Sequence, residues 1–500
     1  MNTFINELEK KFNTKYTENS ATALRSTLSK VYDMFAFGGA YRNRSDEDVI
    51  RLFSEAYDEN PDLALKCLFY LRDIRGAGQG ERRFFDVCYR WLTQTYPTVA
   101  IKLLQYIPEY GRWDEVLKVT TDTDCWKNAV DLIKHQLKED ICSNGHPSLC
   151  AKWMPSENAS SQDTIALANY LRKSLNLTSR QYRKMLSELR TQIKLVESQM
   201  SQDNWNEIEF DKLPSKAGFK YRAAFGRNPE TAARYKKFIK NKNTKVNAGT
   251  MYPYEIVNKI PRSRWSTALS ETEKNVLDKY WSNLKDYFHG KSGGMICVCD
   301  LSGSMTCSYG MSTSNVTPMD ISVSLGIYTA ERLNGPFKNR FITFSENPHL
   351  IRIEGDDIYS KVQDVYRHSE IANTDLPAVF KLLKRIALQP NVNPADIPET
   401  LVIISDMEID RGSNFRTKSQ AETTMDRIAV DWAEAGLKFP KIVYWNCNAR
   451  NNTILQEPSS RITYVSGCSP SIFEQVMTGK DGVELMLQVL QSSRYEPIQS

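Results

Sequence analysis

Histidine is scarce in this chain, with five in 500 residues and none beside a candidate nucleophile, so a hydrolytic triad has little to build on. Long apolar runs are missing as well. No stretch approaches the ~20 consecutive apolar residues of a membrane helix, so no membrane partner is expected. The N-terminus, MNTFINELEKKF, has acids among its bases and no apolar core, which argues against a secretory signal peptide. Its ten cysteines then read as reduced thiols of an intracellular, cytoplasmic protein, in the host cytoplasm if the source is a phage. Glycine (23) and proline (20) are too few for a collagen, and 41% hydrophobic with 25% charged residues excludes a largely disordered chain. What remains is a globular protein of two or more domains.

The net charge of +5 is a sum of opposites. Residues 294–500 carry 19 Lys+Arg against 24 Asp+Glu, and residues 1–293 carry 46 against 36. The excess sits in residues 212–245, where 11 bases meet one acid, Glu230. Phe219, Tyr221, Phe225, Tyr235 and Phe238 are interleaved with those bases. Cations interleaved with aromatics suit nucleic acid, the rings stacking on unpaired bases, but they also suit a solvated helical face whose rings pack the helix down.

Residues 1–290 show helical periodicity. An internal echo relates Pro61, Ala64, Lys66, Leu68 and Tyr70 to Pro97, Ala100, Lys102, Leu104 and Tyr106, 36 residues later, as in stacked helical hairpins. From residue 294 short apolar runs such as MICVCD and TLVIISD alternate with amphipathic helices, the pattern of a parallel, doubly wound α/β sheet. HGKSGG (289–294) between them has linker composition.

The first of these strands ends in Asp300-Leu301-Ser302-Gly303-Ser304. In open α/β sheets ligands sit beyond the carboxyl ends of strands. A carboxylate and two hydroxyls on a tight turn offer hard oxygens, suited to Mg²⁺ or another divalent cation that keeps several waters. D-x-S-x-S closely resembles the metal-ion-dependent adhesion site (MIDAS) of the von Willebrand factor A fold. That resemblance maps the metal set onto Asp300, Ser302 and Ser304, with Thr374 and Asp406 from two further loops. It implies ligation, with one coordination position left for a partner protein's carboxylate. A haloacid-dehalogenase-type phosphatase would want an acid where Ser302 stands.

The stretches TENSATALRST (17–27), LRDIRGAGQGERRFF (71–85), IPEYGRWDEV (107–116), SLCAKWMPSENASS (148–161), YRKMLSELR (182–190) and SDMEID (405–410) resemble domain-of-unknown-function family 2828. More distantly, the architecture is similar to that of Ro ribonucleoproteins, in which a TROVE module of helical repeats joins a von Willebrand factor A domain. The resemblance implies an α + α/β fold: an all-α, HEAT-like, TROVE-like module over 1–290, then a Rossmann-like von Willebrand factor A domain over 294–500. It also implies RNA binding through the helical half, by analogy of fold.

Candidate contacts to small structured or single-stranded RNA are Arg75, Arg82, Arg83 and Lys152, and in the basic segment Lys216, Lys220, Arg222, Arg227, Arg234, Lys236, Lys237 and Lys240. RGAGQGERR (75–83) could present N–H groups and guanidiniums to a phosphate; equally, Arg82 or Arg83 could pair with a neighbouring helix. Trp113 reads as a packing residue, and Lys152 with Trp153 could line an inner surface. The C-x3-H-x3-C of Cys142, His146 and Cys150 matches none of the common zinc pairs. The expectation is a non-enzymatic, RNA-binding scaffold. Its alternatives are a protein-interaction scaffold whose basic segment meets an acidic partner, and a Mg²⁺-dependent phosphoester hydrolase.

Overall fold

A computed structural model describes residues 12–500 apart from 77, 144, 194, 263–267, 291–293, 307–315, 346, 369–374, 410–422 and 478–479. The 36-residue echo is a pair of helical hairpins. Helices Asp46–Glu59 and Pro61–Arg72 form the first, and Arg82–Thr95 and Pro97–Leu103 the second. Each hairpin turns where a proline opens its second helix, a position whose missing N–H costs nothing. In the first, Asn60 caps the helix by accepting from Leu63 N. Ring edges join the two hairpins: Phe69 lies 5.3 Å from Phe85, nearly perpendicular.

The repeats are also fastened by ions. Arg72, 2% exposed, donates two hydrogen bonds of 2.8 and 2.6 Å to the carboxylate of Glu115, which is 0% exposed. Glu115 opens the next helix, Trp113–Thr120, so the pair spans two repeats. Buried so deeply, the pair adds little net stability over an apolar replacement, but losing either partner would strand the other's charge in the interior.

The α/β half holds a six-stranded sheet built from β3 (Met295–Asp300), β4 (Arg340–Phe344), β5 (Leu350–Arg352), β6 (Thr400–Ser405), β7 (Lys441–Asn446) and β8 (Ile462–Ser466). Their order is β5-β4-β3-β6-β7-β8, parallel except for the edge strand β5. β3 is buried along its whole length, which is why MICVCD is apolar without alternation. From β3 the chain goes first to one side, through β4 and β5, then to the other through β6. The carboxyl ends of β3 and β6 therefore flank the crevice where such sheets bind ligands.

Both ends of the helical half seat on this unit. A two-stranded hairpin, β1 (Thr14–Tyr16) and β2 (Thr22–Leu24), precedes the helices and joins the α/β half through the bridge Leu24–Ile454. Three-residue strands carry no readable periodicity, so the helical reading of this stretch missed them. Helix Lys30–Phe37 runs onto β8: Tyr32 Oη accepts from Tyr464 N at 3.1 Å, and Ser466 Oγ accepts from Gly39 N at 3.0 Å. A Cβ on Gly39 would lie 2.8 Å from the Ser466 backbone, so only glycine permits this approach. At the other end helices Pro253–Val257 and Glu271–Ser282 pack on Pro318–Arg332, where Trp281 Nε1 donates to Glu331 at 2.7 Å. The carboxyl-terminal tail returns to the repeats through Arg494, 2.9 Å from the buried Asp73.

Candidate metal centre and nucleic-acid surface

Asp300 ends β3 and is 0% exposed. One of its oxygens accepts from Ser302 N at 3.0 Å, an Asx turn that bends the chain away from the sheet. The other accepts from Ser405 Oγ at 2.7 Å, which ties the ends of β3 and β6 together. The turn brings Ser302 Oγ within 3.0 Å of Ser304 Oγ. These three residues form one cluster. Thr374 lies outside the described residues.

Asp406, 1% exposed, follows β6 and faces a cation supplied by the chain, Arg450, whose Nη2 donates to its Oδ2 at 2.6 Å. The backbone after Asp406 is strained: Met407 has a φ of 67°, in the left-handed region. This turn lets Asp406 Oδ1 accept from Glu408 N. Burial and the charge of Asp406 push the Asp300 carboxyl up to about 7. Burial also raises Asp406, opposed by Arg450. Arg450 thus compensates Asp406 alone, while no cation among the described residues pairs with Asp300, beside which the hydroxyls of Ser302 and Ser304 cluster. That donor set, all hard oxygens around uncompensated charge, fits a small divalent cation.

Sequence reasoning missed the groups around Asp406. Arg450 carries no motif signal; it is placed by the loop after β7. Glu18, at the turn between β1 and β2, lies 3.0 Å from Arg450 and donates its N–H to Glu408 Oε2 at 2.8 Å. Thr17 Oγ1 donates to Ile409 O at 2.7 Å and Asn19 Nδ2 to Glu408 O at 2.9 Å. TENSATALRST and SDMEID, far apart in sequence, are the two sides of this one contact.

The basic segment sorts its residues cleanly. Helices Ser215–Tyr221 and Pro229–Lys240 turn their aromatics inward. Phe225 is 0% exposed and Phe210 lies 4.9 Å from the buried Tyr235, so these rings are core rather than platforms for bases, and the half-buried Phe238 packs 5.6 Å from Phe210. Phe219, likewise buried, meets Tyr280 edge-on. Tyr221 is half-buried, with its hydroxyl 3.1 Å from Glu197. Two cations serve the fold. Arg234 donates to the carbonyls of Trp205, Asn206 and Ile208, and Arg222 donates to Phe219 O. Lys216 pairs with Glu255 at 3.1 Å while remaining exposed. Lys220, Arg227, Lys236, Lys237 and Lys240 are exposed.

The arginines of RGAGQGERR are engaged within the chain. Arg75 donates to the carbonyls of Pro108 and Glu109, Arg82 lies 2.9 Å from Asp114 and 3.3 Å from Glu115, and Arg83 pairs with Asp46. Lys152 sits half-buried beside Trp153, whose other neighbour is the Arg112 guanidinium, 4.0 Å from the ring centre. Cys150 is buried and Cys142 exposed. No described helix is long and apolar enough to cross a membrane.

Residues 294–495 match a model described as a domain of unknown function, DUF7788. Uncharacterized protein L728 of Acanthamoeba polyphaga mimivirus is 28% identical over 531 positions, spanning 97% of this chain and 89% of that protein. The crystal structure of the Deinococcus radiodurans RO (RSR) protein is similar with a TM-score of 0.46 at 13% identity, covering 93% of this chain and 99% of that one. The helical half matches the model of domain of unknown function DUF2828 over residues 17–147 and 134–292, and the chain belongs to that family.

Proposed function

We propose that this protein is a non-catalytic, RNA-binding scaffold whose α/β half holds a divalent cation. The exposed cations of residues 212–245 carry the reading. Lys220, Lys236, Lys237 and Lys240 on the two helices and Arg227 in the turn between them are exposed, whereas Phe219, Phe225 and Tyr235 are buried in the core and Tyr221 and Phe238 are half-buried. A surface that offers charge without stacking rings binds phosphates and discriminates little between bases. The Ro-like architecture read from the sequence implies the same ligand, by analogy.

At the other site Asp300, Ser302 and Ser304 would hold Mg²⁺, with Asp406 beside them; Thr374 belongs to the set by resemblance alone. The cation would supply charge neutralisation to the buried acids and a position for a partner protein's carboxylate. Asp300 is occupied at both oxygens by Ser302 N and Ser405 Oγ, an arrangement that suits a fixed ligand better than a nucleophile.

The test is binding of single-stranded and structured RNA by the whole chain, from about 50 to 200 mM salt. The reading expects affinity that falls steeply and linearly on logarithmic axes. Absence of binding at the low-salt end overturns it, and capture of an acidic protein instead would point to a protein-interaction scaffold. Mg²⁺-dependent phosphoester turnover that Asp300→Ala abolishes would overturn the non-catalytic assignment.

A further inference from the structure

A cavity of about 500 Å³ lies between helix Ser179–Gln192, helix Val196–Ser201 and the loop through residues 154–158. We infer that it is a subsite for the phosphodiester backbone of a bound RNA strand, an inference that rests on the RNA-binding reading above.

One face of helix Ser179–Gln192 lines it, with Arg180, Arg183, Ser187 and Thr191 recurring at helical spacing. Ser156 and Asn158 line the loop side, and Ser198 the third. Arg180 has no hydrogen bond or ion pair among the described residues, and Arg183 makes only a 3.4 Å bond to Ser179 O and a 3.7 Å approach to Glu157. Both guanidiniums are exposed and available to an anion. The single acid on the wall, Glu157, is already neutralised: it accepts from Arg172 Nε at 2.8 Å and from Ser179 Oγ at 2.6 Å.

The walls are pinned before any ligand arrives. Arg190 donates to Ala151 O at 2.9 Å, to Ser156 Oγ at 2.9 Å and to Met154 O at 2.7 Å. Tyr182 Oη donates to Pro155 O at 2.8 Å. A third arginine is thus used to fix the loop, while the first two remain open. Such preorganisation lowers the ordering cost of binding.

The lining also selects among ligands. Its apolar members, Tyr182 and Leu186, are buried at 0% and 2% exposure, so no ring is presented for a base to stack on. Guanidiniums and hydroxyls match phosphate oxygens and ribose hydroxyls instead. The site also adjoins the basic segment. Glu197, on helix Val196–Ser201, accepts from Tyr221 Oη at 3.1 Å, and Arg234 of that segment binds the carbonyls just after the same helix. One short helix therefore has the cavity on one side and the basic segment on the other, and a strand contacting both would meet two sets of cations in sequence.

The experiment measures binding of a fluorescent oligouridylate to the whole chain across a salt series, for the parent, for Arg180→Gln/Arg183→Gln and for Lys236→Gln/Lys237→Gln/Lys240→Gln. Melting temperatures of all three report on folding. The inference expects the arginine variant to melt like the parent and to lose ~10-fold in affinity. Its salt slope should be shallower by ~1.4, two contacts at the single-strand value. A parental affinity and slope in the arginine variant, with loss confined to the lysine variant, overturns the subsite and leaves RNA binding standing. Failure of the parent to bind overturns both. Inorganic phosphate that raises the parent's melting temperature as much as the oligonucleotide does would mark a small-anion site and likewise overturn the strand assignment.

Discussion

Arg450 is the counter-ion of Asp406: its Nη2 lies 2.6 Å from Oδ2, with the guanidinium side chain 14% exposed and the carboxylate 2%. Its Nη1 reaches the other way, to Glu18 at 3.0 Å. One cation therefore links the end of β6 to the turn between β1 and β2, and through it the amino-terminal hairpin to the candidate metal centre. Asp300 receives hydrogen bonds but no cation among the described residues. An added divalent ion would meet Asp300 as its open acid and Arg450 as a competitor for Asp406.

Arg450→Gln separates these roles. In EDTA it leaves Asp406 buried without a full positive charge, which should cost roughly 3 kcal/mol and lower the melting temperature. Mg²⁺ should then stabilise the variant more than the parent, because nothing competes for Asp406. Differential scanning fluorimetry with and without Mg²⁺ measures both effects; an equal Mg²⁺ response in the two proteins would argue against competition.

The pH dependence follows from Asp300. Its carboxyl is pushed up to about 7 in the folded chain by burial and by Asp406, whereas an unfolded aspartate titrates near ~4. Between those values the folded protein keeps a proton that the unfolded chain has released, so stability falls as pH rises through the window. Metal-free urea unfolding should give a lower stability at pH 8 than at pH 5, by on the order of a few kcal/mol. Asp300→Asn should flatten the profile, and a parent equally stable at both pH values would contradict the assignment.

D-x-S-G-S located one acid and both hydroxyls, since a motif inside five residues needs only a strand and a turn to assemble. The apolar runs located the sheet for a similar reason, because a buried parallel strand declares itself in its own residues. Arg450 and Glu18 were illegible: each reaches the site through tertiary packing, across 44 residues and across nearly the whole chain. The basic segment was legible in its charge and misleading in its rings. Composition places Phe225 beside cations, and only the packing of Phe210 and Tyr235 around it makes it core.

The arginines near the repeat junction yield a contrast between fold and ligand. Glu115→Ala strands Arg72 in the interior and should cost about 3–5 kcal/mol. Arg82→Ala removes a 41% exposed partner of Asp114 and Glu115, and should cost about 1 kcal/mol or less. Neither should change RNA affinity once folding is corrected for. A large loss of RNA binding in Arg82→Ala at parental stability would return this turn to the nucleic-acid surface.

The same logic divides the basic segment against itself. Lys236→Glu/Lys237→Glu/Lys240→Glu alters only exposed side chains, so the melting temperature should hold while RNA affinity falls and its salt dependence weakens. Phe225→Ala should do the reverse. It removes a 0% exposed ring packed against Phe210 at 5.4 Å and Tyr235 at 5.1 Å, a change worth about 3–5 kcal/mol of stability. At a temperature where the variant stays folded its affinity should match the parent's, because the ring supplies no surface to a base. If Phe225→Ala lost RNA binding while remaining folded, the aromatics would have to leave the core to meet RNA, and recognition through charge alone would fail.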